Sequence, residues 1–159
     1  MKKTNTTMQI SASKWLDIWQ ANRRLTRRVI EAFPEDQLFS FSIGGMRTFG
    51  DMIKELLAVE GPGIEEIVTG VRQKFDEHAS YQTKQELLDK WDAETARIDK
   101  FWADLPSEKY LERVNLFGQY ESSVIDAILY FVENEIHHRG QGFVYLRSLG
   151  IQPPFFWER

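Results

Sequence analysis

The chain has 159 residues, 42% of them hydrophobic and 13% aromatic, with 20 basic and 24 acidic side chains and a net charge of −4. That length and composition support a single domain spanning residues 1–159 with a real core, and they exclude wholesale disorder. The mixed charge excludes an extended nucleic-acid footprint, the absence of cysteine excludes disulfides and thiolate zinc sites, and no apolar run is long enough to cross a bilayer.

The opening MKKTNTTMQI is basic but lacks the apolar stretch of a secretory signal, so a cytoplasmic location is expected. A first helix is predicted from Ser11 to Phe33, where Trp15, Ile18, Trp19, Leu25, Val29 and Phe33 recur near helical spacing and Pro34 stops the run. Its basic cluster NRRLTRR reads as the solvated face of that helix. In the connector PEDQLFSFSIGGM, Phe39, Phe41 and Ile43 alternate with serine, which is read as an extended loop laying aromatics on the body.

A second helix is predicted to begin near Arg47 or Thr48 and to carry Phe49, Ile53, Leu56 and Ile64 on its apolar face. Pro62 within EGPG predicts a kink or a break, which would leave Glu60 at an exposed helix end. The segment DEHASYQT reads as a loop, with His78 at the surface. Thr83-Lys84-Gln85-Glu86 is a capping box that opens a third helix through Leu87, Leu88, Trp91, Ile98 and Trp102. DLPSE ends that helix, and a connector containing NLFGQYES leads to a fourth over Ser122 to Leu149, closed by Gly150. Four long helices around one core predict an all-α four-helix bundle.

The two adjacent histidines of the fourth helix separate on a helical wheel. Ile125, Ile128, Leu129, Val132, Ile136 and Phe143 form the expected core stripe. His138 shares a second face with Ala127, Phe131, Asn134 and Tyr145, with Gln141 at its edge, whereas His137 turns toward Tyr130, Glu133 and Val144. Asn134 and His138 stand at i, i+4, the spacing at which two side chains converge on one point. A histidine on such a face is either a hydrogen-bonded packing residue or a metal ligand, and spacing alone leaves both open.

HHRGQ followed by VYLRSLG, an aliphatic residue and a proline pair resembles the C-terminal signature of the DinB family, and RTFGDMIKELL resembles the opening of that family's second helix. The resemblance implies a four-helix bundle with long crossover connections, commonly a homodimer. It also implies a divalent metal (Zn, Ni, Mn or Fe) held by three histidines, one on the second helix and two spaced H-x-x-x-H on the fourth. Carried onto this chain, those positions fall on Glu55, Asn134 and His138, so only His138 keeps the family's residue.

The wheel offers Glu60 as a rival for Glu55, because Glu60 lies nearer the centre of the second helix's apolar face. Glu135 is a further carboxylate near His138, and His137, Gln141 and Tyr145 are candidates to support the ligands. Two readings follow. One is a metal-dependent, transferase-type enzyme acting on a small-molecule thiol or electrophile through a degenerate Glu/Asn/His site. The other is a non-catalytic homodimer or small-molecule binder that has lost the metal. No nucleic-acid or membrane partner is expected. Within the C-terminal stretch, Arg139 is expected to pair with Glu135, Gly140 and Gly142 to allow close approach of a helix or chain, and Phe155, Phe156 and Trp157 to dock on the body or a partner.

Overall fold

The computed structural model describes residues 10–159, so the MKKTNTTMQ opening and the reading placed on it lie outside the described residues. Among the described residues, four long helices are α1 (Ala12–Ala32), α3 (Phe49–Thr69), α4 (Lys84–Ala103) and α5 (Val124–Ser148), with a short α2 (Glu35–Leu38) between the first two. Both α1 and α3 pack against α4 and α5. The first two long helices therefore sit diagonally across the bundle, joined by a long crossover, and the chain is a four-helix bundle.

Hydroxyl caps start each long helix. The side chains of Ser11, Thr48, Thr83 and Ser123 accept from the amides of Lys14, Asp51, Glu86 and Asp126, satisfying one of the free N–H groups that every helix start exposes. At the far end of α5, Gly150 takes φ 77, and the Ile151 amide reaches back to the Leu146 carbonyl at 2.9 Å.

The core has two apolar clusters. One gathers Trp19, Ile64, Trp102, Ile128 and Phe131, and the other gathers Phe33, Phe49, Ile53, Trp91 and Tyr145. Between α1 and the facing helices runs a buried polar layer. Arg23 pairs with Glu60 across the bundle, both almost wholly inaccessible, and its guanidinium lies 3.8 Å from the centre of the Trp91 ring. Glu135 accepts from the Thr26 hydroxyl, and Arg139 lies 3.6 Å from Glu135 while donating to Asn22 Oδ1 at 2.8 Å.

Several sequence expectations change here. α3 runs without interruption through Pro62, because a proline removes only one helical hydrogen bond and here both flanking turns are buried in the bundle. Glu60 consequently lies in the core rather than at an exposed end. NRRLTRR is not a uniformly solvated face, since Arg23 is 1% exposed and only Arg24 and Arg28 face solvent freely. The wheel's core stripe on α5 is displaced: Ile136 is 44% exposed, and the buried face is the one bearing Phe131, Asn134, Glu135, His138 and Tyr145. Apolar counting misplaced that face because the helix buries ionic and amide groups in the polar layer.

The 34–46 connector contains α2, and NLFGQYES contributes to a two-stranded antiparallel hairpin, β1 (Arg113–Leu116) and β2 (Tyr120–Ser123), with Leu116 opposite Tyr120. Phe155 stacks on Trp157, Phe156 meets Trp157 edge-on and all three stay largely exposed, so the tail is tied down by buried Pro153 and by the Arg28–Glu158 ion pair at 3.2 Å.

Candidate functional site

α3 and α5 pack side by side, and that contact brings Glu55, Asn134 and His138 together. Asn134 Nδ2 donates to Glu55 Oε1 at 3.0 Å, and His138 Nε2 lies 3.3 Å from the same oxygen. Arg47, just before α3, takes the other carboxylate oxygen at 2.6 Å. Its backbone carbonyl in turn accepts from the buried Tyr145 hydroxyl at 2.9 Å. Tyr145 thus supports the cluster through Arg47, by way of a residue the sequence reading did not single out.

Gln141 bridges the two histidines. Its Oε1 lies 3.3 Å from His138 Nδ1, and its Nε2 lies 2.9 Å from His137 Nε2. His78 is exposed on its loop, as expected, whereas His137 faces solvent and reaches the cluster only through Gln141. Glu60 and Glu135 do not join this cluster, because they belong to the polar layer with Arg23, Thr26 and Arg139. The competition between Glu55 and Glu60 is therefore a matter of two separate sites.

Hydrogen bonding from His138, followed by that from Asn134 and Arg47, pulls the Glu55 carboxyl from its ordinary 4.5 down to about 2 against the opposing effect of burial. Glu55 is thus a carboxylate surrounded by donors. Among the described residues, no group of three or more His, Cys, Asp or Glu side chains is placed to hold a metal ion.

Glu55 also lines a cavity of about 540 Å³. Val59, Leu116, Phe117, Ala127 and Phe131 form its buried apolar part, while Phe75, Glu77, Tyr120, Ser122, Asp126 and Tyr130 lie toward its accessible edge. The hairpin supplies much of this wall. Phe117 and Gly118 at its turn have φ of 54 and 72, the paired positive values that suit tight hairpins, although a phenylalanine seldom adopts one. The Phe117 amide donates to Glu66 Oε1 at 3.0 Å, which holds the turn against α3 and fixes the ring at the cavity. Sequence reasoning missed this wall. The available signal was the polar-apolar alternation of RVNL followed by a glycine within FGQ, a hairpin cue that the connector reading passed over.

The chain matches the DinB family over residues 1–158. It belongs to the DinB family. Solved DinB-family structures share the fold of this chain. A DinB-like protein from Bacillus cereus ATCC 10987 superposes with a TM-score of 0.72 at 15% identity, covering 90% of this chain and 95% of its own. A DinB-like protein from Bacillus subtilis gives 0.72 at 19% identity, with coverage of 90% and 97%. A candidate DinB member from Exiguobacterium sibiricum 255-15 gives 0.66 at 22% identity, with coverage of 94% and 99%. No curated protein matches the chain. Among the described residues, no helix is long and apolar enough to cross a membrane.

Proposed function

We propose that this DinB-family chain is a small-molecule-binding protein in which Glu55, Asn134 and His138 work as a metal-free hydrogen-bonded cluster that reaches the aromatic cavity through Glu55. The observation that supports this reading most is the occupancy of Glu55. One oxygen receives Asn134 and His138, and the other receives the Arg47 guanidinium at 2.6 Å, which puts a positive charge against the carboxylate a cation would need. Asn134 turns its NH₂ to the cluster, and an amide nitrogen is no ligand for Zn, Ni, Mn or Fe. As arranged, the donor set does not fit a divalent ion. It is instead an ordered polar cluster that presents Glu55 to a mainly apolar pocket, and a few placed polar groups in an apolar lining are the usual composition of a small-molecule site.

The test is binding of the neutral dye Nile red, followed by fluorescence, to the parent and to Ala127→Phe, which fills the buried part of the cavity. The parent should bind with a single saturable site and A127F should not, with both retaining helical circular dichroism. Equal binding by the two would overturn the assignment of the pocket. If the purified parent carries a stoichiometric divalent ion, the metal-dependent transferase reading takes its place.

The chain is further proposed to act as a homodimer. Ile136, Gly140 and Val144 form an exposed row at i, i+4 and i+8 on α5, a seam with a small residue at its centre that suits a second helix. Apart from its chain neighbours and the backbone of its own helix, nothing among the described residues lies within 4 Å of a Cβ built on Gly140. Light scattering should give twice the chain mass for the parent and the chain mass for Ile136→Glu. A monomeric parent would remove this proposal.

A further inference from the structure

Twelve residues line the cavity, and their chemistry is one-sided. Three are carboxylates (Glu55, Glu77 and Asp126), and none is Lys, Arg or His. Arg47 compensates Glu55 from outside the lining, which leaves Glu77 and Asp126 as the negative groups toward the accessible edge. Neither has a lysine or arginine partner among the described residues. Glu77 lies 3.7 Å from exposed His78, and Asp126 accepts from the Ser123 hydroxyl at 2.6 Å.

The rings beside these carboxylates stand at angles to one another. Phe75 meets Phe117 at 5.6 Å between centroids and 42° between planes, and it meets Tyr120 at 6.4 Å and 73°. Rings inclined in this way cannot all stack on one flat aromatic ligand. The three rings edge one corner of the cavity in different orientations, and an organic cation seated there would be attracted to any ring face it meets. Carboxylates beside such a corner favour the same charge, and the Tyr120 and Tyr130 phenols add hydrogen-bond acceptors. Val59, Leu116, Ala127 and Phe131 supply apolar surface for the rest of a ligand.

We propose that the cavity takes an organic ammonium compound. Its cationic end lies among Phe75, Phe117, Tyr120, Glu77 and Asp126, and its apolar body lies along Val59, Leu116 and Phe131. This assignment rests on the reading of the cavity as a small-molecule site and names the ligand class. A bare metal ion would not use the apolar surface, and an anion would meet the two edge carboxylates.

The test uses three probes that share one body: 4-phenylbutylammonium, 4-phenylbutanol and 4-phenylbutyrate, titrated calorimetrically at pH 7 into the full chain. The ammonium probe should bind at least tenfold more tightly than the alcohol, and the carboxylate more weakly than either. In the double variant Glu77→Gln, Asp126→Asn, and separately in Phe75→Leu, the advantage of the ammonium over the alcohol should shrink, to within twofold for the double variant. Because the readout is a ratio between two ligands on one protein, partial loss of fold cannot mimic it. If the alcohol or the carboxylate binds as tightly as the ammonium, the ligand class is overturned while the pocket stands. If none of the three binds, the pocket reading itself fails, and this inference with it.

Discussion

Asn134 on α5 donates to Glu55 on α3 at 3.0 Å, at the position where a DinB metal site of the three-histidine kind would have two imidazoles. An amide can satisfy a carboxylate without any ion between them, and the same Glu55 oxygen also faces His138 at 3.3 Å. Removing the acceptor therefore strands two buried donors, Asn134 and His138, and releases the half-exposed Arg47 to water. Glu55→Ala should destabilise the fold by about 1–3 kcal/mol, the usual cost of leaving buried polar partners unmet, and Glu55→Gln by less. Urea unfolding midpoints of the three proteins check the order.

The Arg23–Glu60 pair lies deeper and carries a larger consequence. Both side chains are about 1% exposed, and Arg23 also donates to Thr95 Oγ1 at 2.7 Å and the Trp91 carbonyl at 3.1 Å. Glu60→Ala leaves that buried guanidinium without its cross-bundle acceptor, with Glu135 the remaining carboxyl coupled to it, which should cost about 3–5 kcal/mol. Chemical denaturation should rank it as more damaging than Glu55→Ala, and the reverse order would contradict the assignment of Glu60 to the core.

Glutamates should also set opposite limbs of the pH dependence of stability, Glu60 with its coupled neighbour Glu135 on one and Glu55 on the other. Burial, together with the like charge of Glu135, pushes the Glu60 carboxyl well above its ordinary 4.5 despite Arg23. A carboxyl raised on folding contributes stability that is complete below its unfolded value and fades as pH rises through its folded one. Glu55, lowered to about 2, does the opposite: its contribution is present above 4.5 and is lost as pH falls toward 2. Glu60→Gln should therefore flatten the stability profile above about pH 4.5, and Glu55→Gln should flatten it below. Unfolding free energies measured from pH 2.5 to 8 distinguish the limbs by slope, independently of how far each variant is destabilised.

Two glycines of α5 should respond in opposite ways. A Cβ on Gly142 would stand 2.5 Å from the buried Phe49 ring, whereas one on Gly140 meets nothing within 4 Å. Gly142→Ala should cost about 1–3 kcal/mol through overpacking. Gly140→Ala, measured where the chain is monomeric, should stabilise by up to about 1 kcal/mol through helix propensity. Thermal melts of the two variants give the comparison.

Much of the bundle was legible in the sequence. The hydroxyl at each long helix's start, Pro34 after α1 and Gly150 after α5 are local signals whose effect does not depend on distant partners. What was not legible depended on partners far apart in the chain. Arg23 looks like a surface residue until Glu60, 37 positions away, is placed opposite it, and Ile136 looks like core until Glu135 and Arg139 take the inward face. Pro62 looks like a helix breaker, but tertiary packing keeps α3 continuous. The DinB resemblance led to Glu55, Asn134 and His138, which do meet. It assigned no site role to Arg47 or to the hairpin aromatics, which complete the candidate site.

The central claim is that Glu55, Asn134 and His138 form a metal-free cluster, and metal analysis joined to thermal melting tests it most directly. The purified parent should contain substoichiometric divalent metal, and its Tm should not move when Zn, Ni or Mn is added. The variant Asn134→His, Glu55→His should bind one ion per chain and melt several degrees higher with it. A parent that retains one ion per chain through purification, with a Tm that falls on chelation, would contradict the account.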